Sequence, residues 1–126
     1  MTDRFNKVEL EVLSEAGISA EDASQWPKRF CGYEIAIMRS VGITAEYASQ
    51  WSVRFGGYHI APMHQVGVTA EYAEKWPDRF YGYDIATMHD YGVTAEEASK
   101  WPERFSAWEI IKKRERGLTP KDLTND

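Results

Sequence analysis

The sequence holds one cysteine, Cys31, in 126 residues. No disulfide can staple the fold from within, and an oxidising compartment would bring it nothing. No apolar run approaches the ~20 residues that span a bilayer. The start, Met1-Thr2-Asp3-Arg4, has neither a basic n-region nor an apolar h-region, which argues against a secretory signal. A cytoplasmic protein is expected. Positive charge is also short: 15 Lys and Arg stand against 20 Asp and Glu, a net charge of −5. Broad binding to phosphate backbones, which needs clustered cations, is disfavoured. Beyond Gly56-Gly57 there is no Gly-rich phosphate loop, and no Cys/His cluster has metal-ligand spacing. No segment alternates with a period of two, so no sheet is expected.

What is present is a repeat. Trp26, Trp51, Trp76 and Trp101 lie 25 residues apart. Gly17, Gly42, Gly67, Gly92 and Gly117 keep the same step, as does the pair Arg-Phe at Arg4-Phe5, Arg29-Phe30, Arg54-Phe55, Arg79-Phe80 and Arg104-Phe105. The units run over 17–41, 42–66, 67–91 and 92–116, flanked by half-units at 4–16 and 117–126, with the whole of 1–126 read as one repeat domain. Half-units at the ends suit capping pieces.

Each unit reads as two short helices. Helix A starts at a hydroxyl N-cap (Ser19, Thr44, Thr69, Thr94, Thr119) followed by acids in the first turn (Glu21, Glu46, Glu71, Glu96). It is expected to run to the Trp, where Pro27, Pro77 and Pro102 stop it. Helix B begins after the Arg-Phe and ends at the repeat Gly. The apolar residue behind that Gly (Ile18, Ile43, Val68, Val93, Leu118) is the signature of a left-handed C-cap with its hydrophobic contact. The fold class that follows is all-α: tandem two-helix repeats stacked as a short α-solenoid of about five hairpins. Pro62 falls inside helix B of the second unit, where Ser52 and Gly56-Gly57 also depart from the pattern. A local irregularity or a late helix start is expected there.

The pattern Gly-(Ile/Val)-Thr-Ala-Glu-x-Ala-x-x-Trp-x-x-Arg-Phe-x-Gly-Tyr-x-Ile-Ala, which covers nearly the whole chain, resembles short tandem helical repeats of microbial proteins that have no assigned role. At class level it is similar to tetratricopeptide and Sel1-like solenoids. Those have longer units with other signature positions, so the resemblance implies a stacked helical scaffold and carries over none of their peptide-binding residues.

On helix A, turned through 100° per residue, Ala45, Ala48 and Trp51 share one arc while Tyr47 points away. The four tryptophans therefore read as core, not as a stacking ladder for bases. Arg29, Arg54, Arg79 and Arg104 each follow a Trp by three positions and precede an acid (Glu34, Asp84, Glu109) or His59 by five. One reading is a guanidinium row for an anionic ligand. The favoured one is a structural inter-helix clamp in which each Arg stacks on an aromatic ring and pairs with an acid. His64 and His89 sit one repeat apart, too far to share a zinc ion, and Cys31 has no oriented base. No catalytic, cofactor-binding or metal-binding residue is expected.

Ile37, Val41, Tyr47, Val53, Val66, Tyr72, Tyr81 and Tyr91 are apolar or aromatic where other units carry polar or charged residues. Tyr offers large contact area at low entropic cost. These eight are the candidate partner-binding residues of a non-enzymatic protein- or peptide-interaction scaffold. The alternatives are an acidic inhibitor filling a nucleic-acid-binding groove of a target enzyme, and a nucleic-acid reader using one unit per base. Self-association through the open ends is a further possibility.

Overall fold

The computed structural model describes residues 4–123; the last three residues of the half-unit 117–126 lie outside that range. The helices are α1 (Lys7–Glu15), α2 (Ala20–Ser24), α3 (Gly32–Ser40), α4 (Ala45–Ala48), α5 (Gly57–Gln65), α6 (Ala70–Ala73), α7 (Gly82–Asp90), α8 (Ala95–Lys100) and α9 (Ala107–Glu115), with a 3-10 turn at Pro120–Leu123. No strand occurs among the described residues. The odd-numbered elements are helix B and the even-numbered ones helix A. Helices α1, α3, α5, α7 and α9 pack in succession, each on the next. The fold is all-α, two-helix units stacked as a solenoid.

Local chemistry explains the boundaries. Ser19, Thr44, Thr69 and Thr94 each accept the backbone N–H three residues on, through their hydroxyl oxygens. Helix A is shorter than its periodicity suggests. After Ala48 the chain tightens into i→i−3 bonds, Gln50 to Tyr47 and Trp51 to Ala48. The Trp therefore sits in a turn beyond the helix. The following turn closes with the Phe N–H on the carbonyl of Pro27, Ser52, Pro77 or Pro102. Ser52 supplies a second tie through its side chain, which accepts the Arg54 N–H at 3.0 Å.

Helix B ends in the same way each time. Gly67 has φ +88°, its N–H donates to the His64 carbonyl at 3.1 Å, and the Val68 N–H donates to the Met63 carbonyl at 2.9 Å. Two orphan carbonyls are thereby satisfied while Val68 and Met63 meet in the core. Pro62 does not produce the expected late start. Helix α5 spans the same nine repeat positions as its neighbours. The proline removes one N–H bond to Tyr58, but α5 is gripped by α3 on one side and α7 on the other, and tertiary packing outweighs the loss.

The core runs the length of the stack. Trp26, Trp51, Trp76 and Trp101 are all buried, with Phe30, Phe55, Phe80, Ile35, Ile60, Ile85 and Ile110. Each Trp from the second unit on meets the Phe four residues later edge-to-face, at centroid distances of 6.1–6.5 Å.

Candidate functional site

Two rows of polar residues are absorbed by the scaffold. The guanidinium of Arg54 lies over its own Phe55 ring at 4.7 Å and donates to the carbonyls of Trp76 (2.8 Å), Pro77 (2.6 Å) and Phe80 (3.1 Å). Arg29 does the same to Trp51 and Phe55, and Arg79 to Trp101, Pro102 and Phe105. The expected aromatic stack is present. As for an acid, Arg54 approaches Asp78 at 3.7 Å and Glu34 acts on Arg29 through space, while the direct bonds of Arg29, Arg54 and Arg79 tie each unit to the turn of the next. Arg104, stacked over Phe105 at 4.7 Å, is exposed.

The acids serve a different junction. Glu34 accepts the Cys31 N–H at 3.0 Å with one carboxylate oxygen and the Gly57 N–H, one unit ahead, at 2.7 Å with the other. Glu9 bridges Asn6 and Gly32 likewise, at 3.0 and 2.6 Å. Those N–H groups, Asn6 first and then Gly32, hold the Glu9 carboxyl below its ordinary pKa against the opposing effect of burial. His59 replaces the acid and accepts the Tyr83 N–H through Nδ1 at 3.2 Å. The close approach depends on glycine. A Cβ at Gly57 would fall 2.5 Å from Glu34 Cβ and 3.0 Å from Met38 Cε. In the last unit Ala107 takes this position, and α9 packs on α7 less extensively.

The candidate partner-binding residues separate into three groups. Tyr47 and Tyr72 do not point away from the scaffold. They are half-buried, packed edge-on to Trp51 and Trp76 and against the imidazoles of His64 and His89 at 5.5 and 5.9 Å. The Tyr72 hydroxyl also accepts the Ala95 N–H at 2.9 Å. Their rings are drawn in by partners beyond their own helix, His64 for Tyr47 and His89 with the Ala95 N–H for Tyr72. The same position holds Glu97 in the fourth unit, which pairs with Arg114 at 2.7 Å. Val53 and Tyr81, 85% and 71% exposed, lie in or beside the turns before helix B. Ile37, Val41, Val66 and Tyr91 lie on one face of the helix-B layer.

That face carries a row the periodicity analysis missed. Tyr33, Tyr58, Tyr83 and Trp108 occupy the second position of α3, α5, α7 and α9, and each is between 37% and 64% exposed. Val8 holds the same place in α1 and is also exposed. Two of the rings reach across to the end of the preceding helix B: Trp108 meets Tyr91 at 5.7 Å, and Tyr83 shares a groove with Val66. Partial desolvation, with smaller contributions from Cys31, Glu34 and Tyr33, raises the Tyr58 phenol above its ordinary pKa. The row was legible as a Tyr/Trp recurring at 25-residue steps, but helix B is apolar on several sides, and the pattern alone does not distinguish the exposed side.

Among the described residues no three His, Cys, Asp or Glu side chains converge as a metal site would require, and no helix is long and apolar enough to cross a membrane. Compared with protein-family models, curated proteins and solved structures, the chain matches none.

Proposed function

We propose that this chain is a non-enzymatic interaction scaffold that presents the helix-B face to a protein or peptide partner. The observation that supports it is the aromatic row itself. A large ring in each of four successive units stands open to solvent, although the core of those units accommodates Trp and Phe without difficulty. Ile37, Val41, Val66 and Tyr91 extend the same face, giving an aromatic-rich patch of the kind that marks binding surfaces. The cytoplasm is the setting this reading favours, on the strength of the lone, half-buried Cys31.

The other readings have less support. A guanidinium row for phosphates needs unengaged arginines, and Arg29, Arg54 and Arg79 are committed to carbonyls. An acidic mimic needs a run of outward carboxylates, and Glu9 and Glu34 are spent bridging helix starts. Growth by continued stacking meets Lys7 and Lys113, which occupy the positions of Gly57 and Met38 where interior helices touch.

The test is capture from native lysate on immobilised protein, with and without nuclease. The proposal expects a nuclease-resistant, saturable partner that is lost on Tyr58→Ser/Tyr83→Ser and retained on Lys75→Ser, at an exposed residue outside that face. Capture that is nuclease-sensitive, or indifferent to the double substitution, would overturn it.

A further inference from the structure

The helix-B face carries charge of opposite sign at its two ends, and this pattern points to its partner; the inference rests on the interaction reading above. Which register positions open on the face is visible where α5 meets α7. Pro62, Gln65 and Val66 stand across a shallow groove from Tyr83, Thr87 and Asp90. In the same register α1 carries Glu15, with Glu11 beside it, and α9 carries Lys112, Glu115 and Arg116. All five of these are exposed, and none is in an ion pair among the described residues. The other cations nearby are turned elsewhere. Lys7 and Lys113 stand at the registers of Gly57 and Met38, which meet along the stack. Arg39 takes the register of His64, which packs on Tyr47, and Arg114 is held by Glu97. The α1 end of the face is therefore acidic. The α9 end is basic, since Glu115 offsets only one of its two cations. Between them α3 and α5 add no charge at these positions, and α7 adds Asp90.

Such a face is complementary to itself when one copy is reversed against another. Two faces can meet about a twofold axis in two ways. With α1 on α1 and α9 on α9, like charge falls on like at both ends, which is costly. With the axis through α5, α1 of each copy lies on α9 of the other, and Glu11 and Glu15 are set against Lys112 and Arg116. Symmetry makes that contact twice. The element that must then face its own copy is α5, and its outward residues Tyr58, Pro62, Gln65 and Val66 carry no charge to repel. Helix α3 lies on α7, where Asp90 meets the register of Ser40 and not another acid. The exposed rings of Tyr33, Tyr58, Tyr83 and Trp108 supply the contact area, and the charged ends fix the orientation. A foreign partner would need an acidic and a basic end in the right order on either side of an apolar centre. A second copy of this chain has them already.

We propose that the helix-B face is the interface of an isologous dimer of this chain, with α1 of each copy on α9 of the other and α5 on the twofold axis.

The test is sedimentation equilibrium of the whole chain. A monomer–dimer equilibrium is expected that ends at twice the 14.5 kDa chain mass and weakens at least threefold between roughly 0.05 and 0.5 M salt. Glu11→Lys/Glu15→Lys and Lys112→Glu/Arg116→Glu should each raise the dimer Kd at least tenfold with the far-UV dichroism unchanged. An equimolar mixture of those two variants should dimerise again, because both end contacts then join opposite charges. Glu71→Lys/Glu74→Lys, the same change of charge at exposed positions of another helix, should cost less than twofold. Tyr58→Ser, met twice on the axis, should cost at least tenfold. A chain with no dimer tighter than about 0.1 mM, a mass that climbs past the dimer as open-ended stacking gives, or charge variants that fail to complement in the mixture overturns the proposal. The lysate capture separates the two levels. For a chain that proves monomeric, a captured partner lost on Tyr58→Ser/Tyr83→Ser removes the dimer and leaves the interaction face; a partner retained removes both.

Discussion

Arg54 shows how one side chain can make a repeat obligatory. Its guanidinium satisfies three carbonyls of a turn in the next unit that no helix would satisfy, while its flat face covers Phe55. A planar fork holds its donors at fixed angles to several acceptors while lying flat on a ring, which the compact ammonium of Lys cannot do. Arg54→Lys should therefore fail to rescue. Both Arg54→Ala and Arg54→Lys should lose about 2–3 kcal/mol in urea unfolding, from the charge-assisted bonds and the carbonyls left behind. A loss under about 0.5 kcal/mol for either would refute the clamp. Its contact with Asp78 at 3.7 Å, with the acid fully exposed, adds little. Glu9 gives the matching pH prediction. Its pKa is depressed in the folded state, so its stabilisation is present above the ordinary carboxylate pKa of about 4.3 and is lost as pH falls through the lower folded value. Glu9→Gln should destabilise at pH 7, and the gap between variant and parent should close at the acid end. A gap independent of pH would assign the effect to packing instead.

At the scale of the element, two glycines of one unit have opposite reasons to be there. Gly67 stands at φ +88° with open space around its Cα. Gly67→Ala should cost about 1–2 kcal/mol from the left-handed backbone alone, and leave helix packing intact. Gly57 has an ordinary helical role, but a Cβ there meets Glu34 and Met38. Gly57→Ala should push α5 from α3 and weaken the Glu34 bridge, with an overpacking cost of about 1–3 kcal/mol. The two predictions part in a double-mutant cycle with Met38→Ala: Gly57→Ala should be relieved in part, the contact with Glu34 Cβ remaining, and Gly67→Ala should not be relieved at all. Equal behaviour of both would contradict the assignment. Helix type, caps and the left-handed glycines were all readable from sequence because each is decided within four or five residues. The acceptors of Arg54, the inward turn of Tyr47 and Tyr72, and the open side of Tyr58 were not. Each is decided by a residue 17 to 26 positions away, and in a stacked array that neighbour is known only once the stack is built.

At the scale of the molecule, contacts run from one unit to the next, and long-range order is a chain of similar interfaces. Such arrays unfold nearly as a sum of unit and interface terms, and the weakest junction opens first. The interfaces are not equal here. Between α3 and α5 there is a glycine at the crossing, a carboxylate bridge and buried Met38. Between α7 and α9, Ala107 replaces the glycine and Asp84 caps only its own Tyr81 N–H. Beyond α9, Lys113 takes the methionine position and lies over Phe105 at 4.9 Å, leaving that ring only half-buried. Every one of these differences loosens the last helix B. Native-state hydrogen exchange should therefore show a gradient among the helix-B amides, with α9 opening at lower free energy than α3 and α5. Ile110, whose N–H bonds to the Ser106 carbonyl, should exchange at least tenfold faster than Ile60, whose N–H bonds to Gly56. Equal protection of the two would mean that the array opens as one unit and that its interfaces are equivalent in energy despite their differing chemistry. A gradient would also place Trp108, alone among the four exposed rings, on a helix that can open while Tyr33, Tyr58 and Tyr83 stay held in register.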